Sequence, residues 1–342
     1  MPEPQFCLNR GSHEKKATKK IKIPKSGKSW FRQKNPVIFG LFYTKLYINF
    51  MNNRVLSFGE VLWDAFGDGK KAGGAPMNVA MHLVQQGVSV AFASSVGMDN
   101  SGDNLIAFLQ KNGLYSPLIQ RDDEFPTCEV TVKLDENNQA TYIIPEPVSW
   151  DNIVTTEALN QTGKQASAIV FGSLACRNTA TRETLLNLLD ETRALKIFDV
   201  NLRPPHYTLS AIETLAASAN VVKMNEEEAN LLIGGSNRSL REQITEFRSK
   251  YHNQTICVTR GENGAIVWHD HEFYESPGCP VKVGDSVGAG DAFLATFVAG
   301  LLNNHPMQSV VDKACSVGAF VASQRGANPT YPPELLNSLA YI

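Results

Sequence analysis

From Arg54 onward, short β-branched apolar runs alternate with longer stretches in which apolar residues recur every three or four positions. That rhythm predicts strands separated by helices. Residues 55–59 and 88–93 read as strands. Residues 76–86 between them read as a helix, with Pro76 suited to the first turn and Gly87 closing it. Residues 104–111 form a second helix, ending at Gly113. Farther on, 168–171, 196–200, 220–223 and 255–258 read as core strands, with helices over 181–192, 210–217, 226–233 and 240–250. Apolar strands spaced in this way imply a mostly parallel sheet covered on both faces. A hairpin follows at 265–268 and 272–275, then long helices near 289–302 and 308–324. The stretch 117–144 breaks the rhythm with short strands and turns at 122–124 and 136–138, the pattern of a β-insert that could serve as a lid.

Charge divides the chain. Residues 1–50 hold eleven Lys or Arg against Glu3 and Glu14, which leaves 21 basic and 32 acidic residues and a formal charge of −11 for 51–342. The leader carries a Lys-rich run over 15–28 and an apolar patch over 37–50, interrupted by Lys45 and too short to span a bilayer. We expect residues 1–51 to be a disordered leader or an extension foreign to the natural protein, with Met51 as a plausible true start. A nucleic-acid-binding arm is the competing reading. Residues 52–342 hold the folded domain, with lid elements around 60–72 and 117–145.

The net charge of −2 over 342 residues gives no argument for nucleic acid or membrane partners. Six scattered cysteines without a C-x-x-C pair suggest reduced thiols rather than a disulfide framework or zinc site. These features point to a cytoplasmic protein. His269 and His271 flank Asp270 between two strand-like runs and fit a solvated hairpin tip better than a metal site.

The chemistry gathers in Gly284-Asp285-Ser286-Val287-Gly288-Ala289-Gly290-Asp291-Ala292-Phe293, where small residues lead into an apolar helix. Small residues let the backbone approach a ligand. Amides of Gly288, Ala289 and Gly290 fall at a helix N-terminus, where unpaired N–H groups and the helix dipole favour an anion. A carboxylate beside such an anion site suits phosphoryl transfer, with the amides stabilising the moving group and Asp291 taking the proton of the attacking hydroxyl. An acidic helix cap without chemistry is the plain alternative. Neither a G-x-x-x-x-G-K-[ST] phosphate loop nor a strand-borne G-x-G-x-x-G is present.

Asp285-Ser286-Val287-Gly288-Ala289-Gly290-Asp291-Ala292-Phe293 resembles the second signature of the ribokinase-like, or PfkB, carbohydrate kinases, with Ser286 where Thr is usual. Gly73-Gly74-Ala75-Pro76-Met77-Asn78-Val79-Ala80 resembles their first signature. The resemblance runs from about Val55 to about Pro333. Within the family the chain is similar to bacterial fructokinases at Gly59-Glu60-Val61-Leu62-Trp63-Asp64, Ser149-Trp150-Asp151-Asn152-Ile153, Phe171-Gly172-Ser173-Leu174-Ala175-Cys176-Arg177-Asn178 and Phe198-Asp199-Val200-Asn201-Leu202-Arg203. The resemblance implies a three-layer α/β/α sandwich with a small β-sheet lid.

It also implies roles. Asp64, Gly73, Gly74 and Asn78 would hold the sugar, a carboxylate being suited to accept from two adjacent hydroxyls. Arg177 would meet the substrate, and a surface arginine is the alternative. Arg203 would neutralise the phosphoryl group. Asn225 and Glu228, in an N-x-x-E motif, would act on Mg²⁺ and its waters near ATP, or simply cap a helix. Thr259, Gly261 and Gly264 would line the nucleotide. Asp285 and carbonyls of Val287, Val321 and Gly326 would form a K⁺ site. Met77 would either fill space or trim the sugar pocket. The expected activity is ATP-dependent phosphorylation of a free sugar at a primary hydroxyl, D-fructose first. Ribose, 2-keto-3-deoxygluconate or a nucleoside, and a non-catalytic sugar-binding regulator, are the rivals. A homodimer through the lid and a monomer are equally allowed.

Overall fold

The computed structural model describes residues 54–66, 69–114, 117–134, 140–234 and 238–339. The leader and the turn at 136–138 therefore lie outside the described residues. In chain order the elements are β1 (Arg54–Phe58), β2 (Leu62–Phe66), β3 (Gly69–Gly73), α1 (Ala75–Gln85), β4 (Ser89–Gly97), α2 (Asn100–Lys111), β5 (Ile119–Asp122), β6 (Glu129–Leu134) and β7 (Ala140–Ile143). They continue as α3 (Glu157–Gln165), β8 (Ala168–Gly172), α4 (Thr179–Asp190), β9 (Leu195–Asp199), α5 (Leu209–Ala217), β10 (Val221–Asn225), α6 (Glu226–Ile233), α7 (Leu240–Tyr251) and β11 (Thr255–Thr259). The last are β12 (Ala265–His269), β13 (Glu272–Ser276), α8 (Ala289–Leu302), α9 (Met307–Ala322) and α10 (Pro333–Leu339).

The large sheet runs β13-β12-β11-β10-β9-β8-β1-β4-β5. It is parallel from β11 to β5, with β12 and β13 antiparallel at one edge. Alternation along its strands explains the layers. Val55, Val170, Ile197 and Val221 meet α8 and α9 through Phe293, Phe297, Val310 and Val311. Leu56, Ile169, Phe171, Phe198 and Val222 point the other way, onto Leu185 and Leu188 of α4, Ile212 of α5 and Ile244 of α7. The result is the three-layer sandwich read from the sequence, its core made of two apolar slabs on either side of one sheet.

A second sheet runs β3-β2-β6-β7. Ile119–Asp122 is not part of it, because this segment pairs parallel with β4 at the edge of the large sheet. The small sheet is tied down where Glu129 accepts from both Lys70 and Ser101. His269 and His271 do sit at a hairpin end, with His269 Nδ1 2.8 Å from the Thr255 hydroxyl and Asp270 and His271 in the left-handed region.

Candidate active site

Chain order reverses across β1. The chain moves from β1 to β4 and β5 on one side, then returns to β8 and steps outward to β13 on the other. In open α/β sheets such a point opens a crevice beyond the carboxyl ends of the strands. A cleft of about 600 Å³ lies there, lined by Glu60 after β1, Ser173 after β8, Asn201 and Arg203 after β9, Asn225 at the end of β10 and Thr259 at the end of β11. The second sheet supplies the facing wall through Asp64, Val130 and Tyr142. Its volume is in the range of small-molecule sites.

The loop before α8 enters this cleft. Gly288 caps the helix in the left-handed conformation, φ +82°, and an added Cβ would stand 2.5 Å from the Ala327 carbonyl oxygen. Only glycine satisfies both conditions. Gly288 and Gly290 line the cleft. Ala289 does not, and its N–H closes a turn onto the Ser286 carbonyl at 3.3 Å. Asp291 follows within the first turn of α8, buried at the cleft wall. Its Oδ2 accepts from Asn78 Nδ2 at 2.8 Å. Burial, then the negative charge of Asp199, pushes its carboxyl up to about 6, while the Asn78 bond, Lys223 and Arg203 hold it from rising further. That places it near the range suited to a general base at neutral pH.

Beneath the loop lies a buried ion pair, Lys223 Nζ to Asp199 Oδ1 at 2.9 Å and Oδ2 at 3.2 Å. Adjacent parallel strands place these side chains in register, Lys223 of β10 opposite Asp199 of β9. An added Cβ on Gly290 would stand 3.2 Å from the Lys223 Nζ, so the ammonium lies directly against the glycine loop. Burial pulls the lysine down, but Asp199, with Glu228 and Asp291, outweighs it and the net shift is upward. Lys223 therefore remains a cation on the cleft floor. Glu60, also fully buried, has an Oε2 without a hydrogen-bond partner. Burial raises its carboxyl to about 7 against the pull of Arg203.

The sugar-side residues of the sequence reading come together. Asp64 of β2 lines the cleft, its carboxyl raised to about 6 by burial and drawn back by Arg203 and Lys71. Gly73 pairs with Leu62 across β2 and β3, and a Cβ there would meet the Asp64 Oδ2 at 2.6 Å. Gly74, φ +114°, passes so close to the Glu60 carbonyl oxygen that a Cβ would stand 2.5 Å from it. Asn78 lines the same wall, but its amide is spent on Asp291 and Asn328. Met77 is fully buried among Val61, Phe92 and Leu105, so it fills space.

Other expected contacts fall elsewhere. Arg177 does not line the cleft. Its guanidinium is buried, donates to both oxygens of Asp151 at 2.8 and 2.7 Å and to the Pro145 carbonyl at 2.7 Å, and stacks over Trp150. Glu228 likewise is not a lining residue: Oε2 accepts from the Asn225 N–H at 2.8 Å and Oε1 from the Leu202 N–H at 2.7 Å. It closes a capping box on α6 and ties down the loop carrying Arg203. Asn225 and Thr259 line the cleft, whereas Gly261 and Gly264 do not. Gly264 instead packs against the backbone of Ser276–Gly278. Asp285 bridges two loops by accepting from the N–H of Val287 at 3.0 Å and of Gly326 at 3.2 Å. The Val321 carbonyl already accepts from Gln324 at 3.0 Å, and Val287 is exposed. Among the described residues no group of three His, Cys, Asp or Glu side chains could hold a metal ion. The donors present suit a hard cation that keeps most of its waters and rides on phosphate.

The sequence reading assigned no role to Lys223, Glu60, Asn328 or Asp199. Lys223 carries the one readable signal, a lysine inside an otherwise apolar strand, Val221–Asn225. The others become visible only when distant loops meet.

Comparison with known proteins bears on this geometry. A model described as pfkB family carbohydrate kinase matches residues 37–334, reaching into the segment ahead of Met51. A fructokinase of Salmonella typhimurium is 28% identical over 301 residues, covering 82% of this chain and 97% of that protein. The solved fructokinase of Xylella fastidiosa with bound ATP superposes with a TM-score of 0.73 at 23% identity, covering 84% and 98% of the two chains. The fructokinase of Vibrio cholerae O395, solved with fructose, ADP and calcium ion, gives 0.71 at 23% identity, covering 84% and 99%.

Proposed function

The chain belongs to the pfkB family of carbohydrate kinases and is an ATP-dependent sugar kinase; within that class we propose that it transfers the γ-phosphoryl group of ATP to the 6-hydroxyl of D-fructose, giving fructose 6-phosphate. One observation carries the reading. Asp291, its carboxyl lifted to about 6, shares a single cleft with the acid of the facing sheet, Asp64. The similarity to fructokinases supports fructose over ribose, 2-keto-3-deoxygluconate or a nucleoside.

In this reading the sugar lies between the two sheets with two adjacent hydroxyls donating to Asp64. Asp291 removes the proton of the attacking hydroxyl as the bond to phosphorus forms. The backbone at Gly288 and Gly290, with Lys223 and Arg203, faces the charge of the transferring group. ATP lies along the carboxyl ends of β10 and β11, against Asn225 and Thr259. Mg²⁺ would travel with the nucleotide, its waters facing Asn225 and, beyond it, Glu228; when bound it neutralises phosphate charge. A K⁺ ion at the loop joined by Asp285 and Gly326 belongs to the same proposal. So do a cytoplasmic location and a homodimer through the small sheet. No helix among the described residues is long and apolar enough to cross a membrane.

An ADP-release assay across fructose, ribose, 2-keto-3-deoxygluconate and a nucleoside tests the substrate, and turnover restricted to one of the last three would remove fructose. Asp291→Asn tests the base: we expect a folded protein with turnover lowered at least about 100-fold. Chelation of divalent ions should stop turnover, and magnesium alone should restore it.

A further inference from the structure

The stretch after α9 braces the active site, and one face of α1 grips it. Asn78, His82 and Gln85 lie along that face. The His82 Nε2 meets the Ala327 carbonyl at 3.0 Å, and a carbonyl only accepts, so Nε2 carries the proton. Nδ1 then accepts from the Tyr331 hydroxyl at 2.8 Å. This neutral form fits a ring that burial lowers to about 4. Gln85 donates to the Pro329 carbonyl at 3.2 Å and accepts from the Tyr331 N–H at 3.0 Å. Asn328 is held within this clamp. Its Nδ2 donates to Asn78 Oδ1 at 2.7 Å, and Asn78 Nδ2 donates in turn to Asp291 Oδ2 at 2.8 Å.

We propose that Asn328 is a positioning residue for phosphoryl transfer, fixing the Asn78 amide so that its NH₂ faces the Asp291 carboxylate. The inference rests on Asp291 being the base, and it names what keeps that base in its accepting, ionised form. A carboxamide has one donating and one accepting end. With Asn78 turned over, its NH₂ would oppose the NH₂ of Asn328 and its oxygen would oppose the Asp291 carboxylate. That arrangement suits only a protonated Asp291, which would then donate to Asn78. Asn328 selects against it by presenting a donor. Its own Oδ1 is buried without a partner, a cost that the clamp on both sides sustains. Asn328 does not line the cleft, whereas Gly326 and Ala327 do, so it acts through Asn78 and not on substrate. The charged groups facing Asp291 come from other elements: Asp199 and Glu60 on the acidic side, Lys223 and Arg203 on the basic side.

Full-length Asn328→Leu and Asn328→Asp variants test this through the pH dependence of kcat/KM for ATP at saturating sugar. A ¹³C titration of the Asp291 carboxyl runs in parallel. In Asn328→Leu the acid limb should move up by half to one pH unit. At pH 6, where about half of the wild-type base is already protonated, that is a loss of about two- to fivefold, with the alkaline plateau within about twofold of wild type. Asn328→Asp keeps the shape but replaces the donor with an acceptor, so Asn78 turns over and the shift should exceed about one unit. A purely structural role gives the opposite order, with the isosteric aspartate mild and the leucine harmful. That order would overturn the proposal, as would an unmoved acid limb and unmoved carboxyl titration in both folded variants. If one variant fails to fold, the other decides. Failure of both to fold would also overturn it, since a residue needed only for folding positions nothing. Should Asp291→Asn retain turnover, the base reading fails instead, and the carboxyl titration still reports the Asn78 orientation.

Discussion

Asp291 shows what a functional carboxylate costs. Its folded value of about 6 stands above the ordinary 3.8, chiefly through burial. The folded protein therefore holds this proton more tightly than the unfolded chain. The stability linked to the proton is present at low pH, is lost progressively between pH 3.8 and about 6, and is absent above. At pH 7.5 the site pays for an ionised buried acid. Asp291→Asn removes that ionisation and still accepts from Asn78. It should raise stability at pH 7.5 by about 1–3 kcal/mol while removing turnover, and lose the advantage near pH 4. Urea unfolding at the two pH values measures both. Lys223 behaves oppositely. Replacement by Met leaves Asp199 buried and unpaired, which should cost about 3–5 kcal/mol in the same experiment.

At the scale of elements, the loop into α8 is built for one backbone conformation. Gly288→Ala adds a Cβ at φ +82° that collides with Ala327, so the loop must shift. Because that loop also carries Asp285, bound to Gly326, and Asp291, bound to Asn78, the damage falls on the site rather than on the slabs of core. Turnover should fall at least about 100-fold, as for loss of a charge-stabilising group, with fluorescence and far-UV spectra unchanged. This loop was legible in the sequence because the whole string from Asp285 to Phe293 resembles a family signature, whereas small residues beside an acid alone would equally describe an ordinary acidic cap. The core strands were legible too, since runs such as Ala168–Gly172 are apolar on both faces. The placement of β5 was not: a short strand was expected there as part of the lid, but Ile119–Asp122, with one apolar residue in four, joins the large sheet because β4 offers an edge. α3 was missed for a related reason: in Glu157–Gln165 the buried residues are Leu159, Thr162 and Gly163, too sparse a stripe to announce a helix. Arg177 misled because a strand end facing the cleft is a common place for a ligand contact, while its partner Asp151 comes from a separate segment. Glu228 shows a motif with two readings at once, in which the cap visibly won both carboxylate oxygens.

Across the whole molecule, the site is split between two sheets that face each other across the cleft and share core through Leu62 and Val130. The large sheet carries Lys223, Asn225 and Thr259, with Asp291 on α8 packed against it, and the small sheet carries Asp64 and Tyr142, the latter 46% exposed. Sugar bound to the small sheet and nucleotide bound to the large one each fix only one wall. Bound together, each pre-pays the closure that the other needs, so their effects on melting should exceed the sum of the separate shifts. Fructose with a non-hydrolysable ATP analogue, each at about 100 times its Kd, should raise the melting temperature by about 5 °C or more through the occupied sites, with a further excess from closure. Tyr142→Ala opens the mouth of the cleft without touching the base. We expect it to abolish most of that excess and to raise ATP hydrolysis in the absence of sugar, because water then reaches the phosphoryl group. Shifts that simply add in the wild-type protein would mean that the two walls are already fixed, and that the small sheet is a rigid half of the pocket rather than a closing one.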